Sequence, residues 1–197
     1  KWGKWYLDTT GVDAFRLDAV KHIKSGFMAD WIRTMKSTRK DLQCVGEYWN
    51  RNLDSLKKYI EKTNSTIPLF DVPLHYNLYE AANSSGYYDF ARIFESTLVK
   101  EMPNQAVTFI DNHDTEPGQA LYSWIPDWFK PLAYALILLR KDGLPCIFYG
   151  DYYGIPTQNV NTKKDMLENL MKLRKNYAYG DQKDYFDHHD IIAWVRT

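Results

Sequence analysis

Five times along this chain a short apolar run of β character gives way to a stretch with helical spacing, and polar or ionisable residues cluster where the runs end. Residues 12–17 stop at Asp18 and residues 43–46 stop at Glu47. Residues 67–72 carry Asp71 and are expected to be stopped by Pro73; residues 106–110 lead into Asp111, and residues 146–149 into Gly150 and Asp151. Between them Ile23, Phe27, Trp31, Ile32 and Met35 recur at helical spacing, as do Phe90, Ile93, Phe94 and Leu98. Leu53, Leu56, Tyr59 and Ile60 mark another helix, with Asn52 a plausible N-cap. Pro131 fits the first turn of a helix running to Arg140. Met166, Leu167, Leu170, Met171, Leu173 and Arg174 form an amphipathic helix.

Consecutive βα units imply a parallel sheet, because parallel neighbours need a crossover connection. Two architectures offer one. An open doubly wound sheet gathers its chemistry at one switch point, whereas a βα barrel distributes it over the C-terminal ends of its strands. Polar groups after every run favour the barrel, and no glycine-rich phosphate loop supports the nucleotide-binding alternative. The expected fold class is α/β, a partial (β/α)8 barrel comprising about strands 4–8. Residues 1–180 would form the C-terminal part of that barrel, and residues 181–197 the start of a C-terminal β-sandwich domain. The first three strands would precede residue 1, so the segment alone is expected to be inactive and poorly soluble, with unpaired backbone at its edge.

Composition narrows the partners. Lys and Arg number 25 against 25 Asp and Glu, unlike the strongly basic nucleic-acid binders, and the balance leaves no polybasic surface for a membrane. No apolar run approaches the ~18 residues of a spanning helix. Aromatic residues make up 16%, including 15 Tyr and 7 Trp, and their faces stack on sugar rings while Tyr and Trp also hydrogen-bond. Cys44 and Cys146 sit in separate apolar runs and are expected to be inert core thiols rather than a disulfide. No compartment is specified.

The chemistry concentrates in three places. A strand presents Arg16 and Asp18 on one face, two residues apart, so the guanidinium would hold the carboxylate ionised, as a nucleophile must be; a structural ion pair is the plainer reading. Glu47 ends the next run and is followed by Tyr48 and Trp49, whose rings would desolvate it and favour the protonated form of a general acid. Neighbouring strand ends lie roughly 5 Å apart, the separation retaining glycosidases need between two carboxyl groups. Residues 111–115 make a dense polar cluster in which a carboxylate could stabilise an oxocarbenium-like transition state and His113 could bind a sugar hydroxyl. A metal site and a solvated turn are the competing readings of that cluster.

Three segments together resemble a known family: residues 11–22 (GVDAFRLDAVKH), 45–49 (VGEYW) and 109–114 (FIDNHD). They are similar, in order, to the nucleophile, acid/base and third-carboxylate motifs of the α-amylase family (glycoside hydrolase family 13). Residues 70–76, 128–135, 148–151 and 185–190 look like its liquefying bacterial branch. The resemblance implies endo-hydrolysis of α-1,4-glucosidic bonds in starch- or glycogen-type glucans with retention. Asp18 would be the nucleophile, Glu47 the acid/base and Asp114 the transition-state stabiliser. Arg16, Lys21, His22, Trp49 and His113 would contact substrate. The family also implies calcium, with His22 matching a carbonyl ligand of one site and Gly86, Tyr88, His189 and Asp190 matching part of a second; both sets are incomplete here. An α-glucan is the implied partner, with no nucleic acid or membrane, and a monomer at full length. Two alternatives use the same residues differently: an α-glucanotransferase with a sugar acceptor in place of water, and a non-catalytic barrel relative that only binds.

Overall fold

The computed structural model describes residues 1–197. Helix α1 (Trp2–Thr10) ends at Gly11, whose φ of 66° turns the chain into strand β1 (Ala14–Leu17). There follow α2 (Ser25–Thr38), β2 (Gln43–Gly46), α3 (Leu53–Lys62), β3 (Leu69–Phe70), α4 (Val72–Asn83) and the short α5 (Leu98–Glu101). Strand β4 (Ala106–Phe109) leads through a long loop to α6 (Lys130–Leu139), then β5 (Leu144–Cys146), α7 (Tyr149–Tyr153) and α8 (Lys164–Asn176). A hairpin of β6 (Gln182–Tyr185) and β7 (Ala193–Arg196) completes the chain.

Strands β1 to β5 form one sheet in sequential order, every pair parallel. That order is what successive right-handed βα crossovers produce, and it is the arrangement of consecutive strands in a βα barrel. The main core lies between the sheet and its helices, built on Ile32, Leu56, Ile60, Leu69, Leu74, Leu78, Ile137 and Leu138. No helix is long and apolar enough to cross a membrane. Cys44 on β2 is a buried, unpaired thiol, whereas Cys146 on β5, also unpaired, is only half-buried, short of the core position expected.

Several boundaries differ from the sequence pattern, each for a local reason. The run 67–72 yields only two strand residues, because Asp71 caps a helix: its carboxylate accepts the Leu74 amide, and Pro73 lies in that helix's first turn instead of stopping a strand. The pattern over 90–98 is not one helix. Asp89 caps a single 3₁₀ turn (Phe90–Arg92), Ser96 takes a φ of 54°, and Thr97 caps α5 afresh. Strand β5 starts two residues earlier than expected and ends at Cys146, since Gly143, at a φ of 79°, feeds it directly; Tyr149 already belongs to α7. Ile23 precedes α2, and Phe27 faces outward at 61% exposure. The expected strand over 187–196 is only β7, paired antiparallel with β6.

Candidate active site

The register joining β1 to β2 sets the first two acidic residues side by side. Leu17 pairs with Gly46, so Asp18 and Glu47 each follow the same rung of the ladder. The Glu47 amide donates to the Leu17 carbonyl at 2.8 Å, and the Glu47 carbonyl accepts the Val20 amide at 2.9 Å. Gly46 leaves room for its buried neighbours: a Cβ there would meet Leu69 Cδ2 at 2.8 Å and Ile67 Cγ2 at 3.0 Å, so those side chains would have to shift.

The two side chains have opposite environments. Asp18 is exposed and pairs with Arg16 through a 2.7 Å contact, both projecting from one face of the strand end. Glu47 is 7% exposed. Its Oε2 accepts the Ala19 amide at 2.7 Å, so the residue following Asp18 holds the Glu47 carboxylate. Ala19 adopts a φ of 47° to do so, a left-handed conformation in which a side chain is unfavourable.

The flanking aromatics do not lie as the sequence suggested. Tyr48 packs on Tyr59. The Trp49 ring is buried among His75, Tyr76 and Phe109 and donates its indole N–H to the Tyr76 hydroxyl, rather than lying along an open cleft. Its carbonyl is what reaches the site, accepting the Lys21 ammonium at 3.0 Å. His22 is exposed at the end of the 3₁₀ turn Val20–His22.

The third acidic residue stands on the loop after β4. Asn112 Oδ1 accepts the amides of Asp114 and Thr115 at 2.9 and 3.0 Å, which folds the loop back on itself. His113 Nε2 lies 3.3 Å from Asp114 Oδ2. Beneath the loop is a buried ionic cluster that the motif reading left unused. Lys130 contacts both Asp111 and Asp151, and all three side chains are fully buried. Tyr134 donates to Asp151 at 2.6 Å. Burial pushes the Asp111 carboxyl up to about 6 against the pull of Lys130. A lysine followed four residues later by a tyrosine inside an otherwise apolar helix was the available signal.

The second group of candidate metal residues is partly assembled. The Phe90 amide donates to the His189 carbonyl at 2.7 Å, which joins the segment of Gly86 and Tyr88 to the segment 188–190. Ligand atoms of His188, His189 and Asp190 lie within 4.8 Å of one another. His189 Nε2 is 2.9 Å from Asp190 Oδ2. The His188, His189 and Asp190 side chains, two imidazoles and one carboxylate, fall short by themselves of the six to eight oxygens calcium takes; Gly86, Tyr88 and His189 have backbone carbonyls to add, and the His189 carbonyl already accepts the Phe90 amide. His22 sits apart on the 3₁₀ turn after β1.

A groove of about 780 Å³ opens over the sheet, lined by residues of all five strands, among them Phe15, Arg16, Phe70 and Cys146. None of the three candidate carboxylates lines it.

Known proteins match this arrangement. The family model of the α-amylase catalytic domain matches residues 1–188. An α-amylase of Geobacillus stearothermophilus is 56% identical over 99% of this chain and 36% of its own length. The glucan 1,4-alpha-maltohexaosidase of Bacillus sp. strain 707 is 52% identical, over 99% of this chain and 38% of its own. Both matches span well under two thirds of the relative. A crystal structure of an Anoxybacillus α-amylase superposes with a TM-score of 0.76 at 21% identity, covering 98% of this chain and 47% of that one; at that identity it speaks for the fold alone. With a parallel sheet in barrel order and a family match over almost its whole length, the chain belongs to the α-amylase catalytic-domain family.

Proposed function

We propose that this chain supplies the catalytic carboxylates of an endo-acting, retaining α-1,4-glucan hydrolase. The observation that carries the reading is the Leu17–Gly46 rung, which places Asp18 and Glu47 on adjacent strand tips with contrasting surroundings. Retaining hydrolysis needs two carboxyl groups flanking one glycosidic bond, one to attack and one to pass a proton. Asp18, exposed beside Arg16, attacks the anomeric carbon while the bond to the leaving oxygen breaks. Glu47, enclosed and oriented by the Ala19 amide, gives its proton to that oxygen. Water then attacks the same carbon as Glu47 takes its proton, and Asp18 leaves as carboxylate. Two inversions give net retention. Asp114 faces the positive charge that develops on the sugar ring, with His113 beside it, and Lys21 and His22 contact the leaving-group side.

The relatives' printed activities and the family match support an α-glucan substrate. A monomer at full length, and a boundary near residue 180 where β6 opens a separate β-unit, complete the proposal. Calcium would need oxygen ligands beyond those described here, so it enters none of these steps.

Glu47→Gln in the full-length protein tests the assignment. It should lower maltoheptaose turnover by about 10²–10⁴-fold, the range for a general acid, while glucan binding stays within about twofold. Initial products should carry the α configuration by NMR. Unchanged turnover in the variant, or β products from the parent, would overturn the proposal, and cyclic or lengthened glucans would reassign it to transfer.

A further inference from the structure

We propose that Lys130 is a positioning residue for Asp114, acting through Asp111 and Thr115 to hold the loop that presents the third carboxylate. The role of Asp114 in this statement rests on the hydrolase reading; the positioning itself rests on geometry. Lys130 Nζ lies 2.8 Å from Asp111 Oδ2 and 2.5 Å from Asp151 Oδ1, and 3.3 Å from the centre of the Trp124 ring. An ammonium has three donors, and these three partners account for them.

From Asp111 a line of hydrogen bonds runs outward. Its Oδ1 accepts the Thr115 hydroxyl at 2.9 Å. The Thr115 oxygen accepts the Asn112 amide at 3.0 Å. Asn112 Oδ1 then accepts the Asp114 amide at 2.9 Å. Every link from the buried cation to the Asp114 backbone is therefore a direct contact. Asp111 and Thr115 are buried, and polar groups away from water must stay paired, so the base of the loop has little choice of arrangement.

The other arm of the cluster differs. Asp151 passes to Tyr134, which lies within α6 and makes no contact with the 111–115 loop through this arm. The asymmetry separates positioning from simple support of the fold. Lys130→Gln keeps a donor but removes the charge; Thr115→Val cuts the outward line without changing any charge, and serves if Lys130→Gln does not fold. Tyr134→Phe cuts the inner arm, together with the 3.4 Å bond from the Phe148 amide to the same hydroxyl, and no bond of the 111–115 loop.

In the full-length protein, Lys130→Gln and Thr115→Val should each lower kcat on maltoheptaose by about ten- to a hundredfold with KM within about twofold. Hydrogen exchange at the Asp114 and Thr115 amides should quicken in both. Thr115→Ser should restore kcat and protection. Tyr134→Phe should lower the denaturation midpoint and leave kcat and those two amides unchanged. Unaltered exchange and kcat in Thr115→Val would overturn the inference. So would equal losses in Tyr134→Phe, which would mark a purely structural cluster. If the parent hydrolyses no glucan, the hydrolase reading fails by itself, and the exchange comparison still decides the positioning.

Discussion

The backbone amide of Ala19 donates to the Glu47 carboxylate at 2.7 Å, and Ala19 takes a left-handed conformation to do it. The residue immediately after the candidate nucleophile thus carries strain that orients the candidate acid. Strain of this kind persists where surrounding structure over-determines it. A β-branched side chain at a φ of 47° should cost more than alanine does. Ala19→Val should destabilise the protein by about 1–3 kcal/mol, whereas Ala19→Gly should be neutral or slightly stabilising. Urea denaturation of the three proteins decides it, and equal midpoints for alanine and valine would count against strain at this position.

Asp71 ties three elements together. Fully buried, its Oδ1 accepts the Leu74 and Leu98 amides at 3.0 and 3.1 Å, and its Oδ2 accepts Val99 at 2.7 Å. One carboxylate thereby caps α4 and anchors α5 beneath the sheet. Asn at this position keeps one acceptor but turns an NH2 group toward a neighbouring N–H. Asp71→Asn should cost about 1–3 kcal/mol, the penalty for a buried donor left unsatisfied. A chemical denaturation midpoint unmoved by the change would show that the second oxygen contributes nothing.

His75 gives the protein a pH dependence with a definite sign. It is fully buried, stacked on Phe109, with Nδ1 at 2.6 Å from the Ile110 carbonyl and Nε2 at 2.8 Å from the Ser123 hydroxyl. Burial lowers its pKa from 6.5 to about 4. The neutral ring is favoured in the fold, so the stabilisation is complete above 6.5 and is lost as pH falls toward 4, where the unfolded chain binds the proton first. Asp71 and Asp111 run the opposite way, since burial raises each to about 6. Their stabilisation is present below the ordinary carboxylate range and fades as pH rises through 6. The parent's own profile is a sum of these trends. The stability difference between parent and His75→Asn isolates the histidine. It should grow by roughly 3 kcal/mol between pH 4 and 6.5 and then level off. A difference independent of pH across that window would refute a neutral buried ring.

Much of this is legible in the sequence alone, and what is not has physical causes. Asp18 and Glu47 could be read because a side-chain period of two and a run of apolar residues fix where a short strand ends. Their adjacency followed from sequential βα order, which the register of Leu17 with Gly46 realises. The helix at Val72 was hidden because Asp71 and Pro73 signal both a strand end and a helix start, and capping decided between them. The burial of Trp49 was not legible, since its partners His75, Tyr76 and Phe109 come from other segments of the chain. Neither was the Ala19 conformation, which follows from a contact 28 residues away. Lys130 was visible in sequence as a charge in an apolar helix, but its two carboxylate partners lie 19 and 21 residues off.

Arg140 fastens the terminal hairpin to the sheet-and-helix body. It is 7% exposed just past the end of α6, and its two terminal nitrogens meet Asp184 of β6 at 2.7 and 2.9 Å. The same guanidinium lies over Phe94 at 4.4 Å, Phe186 at 5.0 Å and Trp194 at 5.6 Å. A planar fork can serve a carboxylate in its plane and aromatic rings on its faces at once, which a lysine ammonium cannot. Arg140→Lys should therefore loosen the hairpin even though charge is conserved. Hydrogen exchange over residues 182–196 should rise by about tenfold or more, reflecting the loss of a paired, partly buried hydrogen-bonded charge worth ~1.5–3 kcal/mol. Exchange in β1 and β2, on the far side of the sheet, should not change. If the hairpin amides exchange equally in both proteins, the fork is dispensable and apolar packing by Phe94, Phe186 and Trp194 alone holds the two parts together.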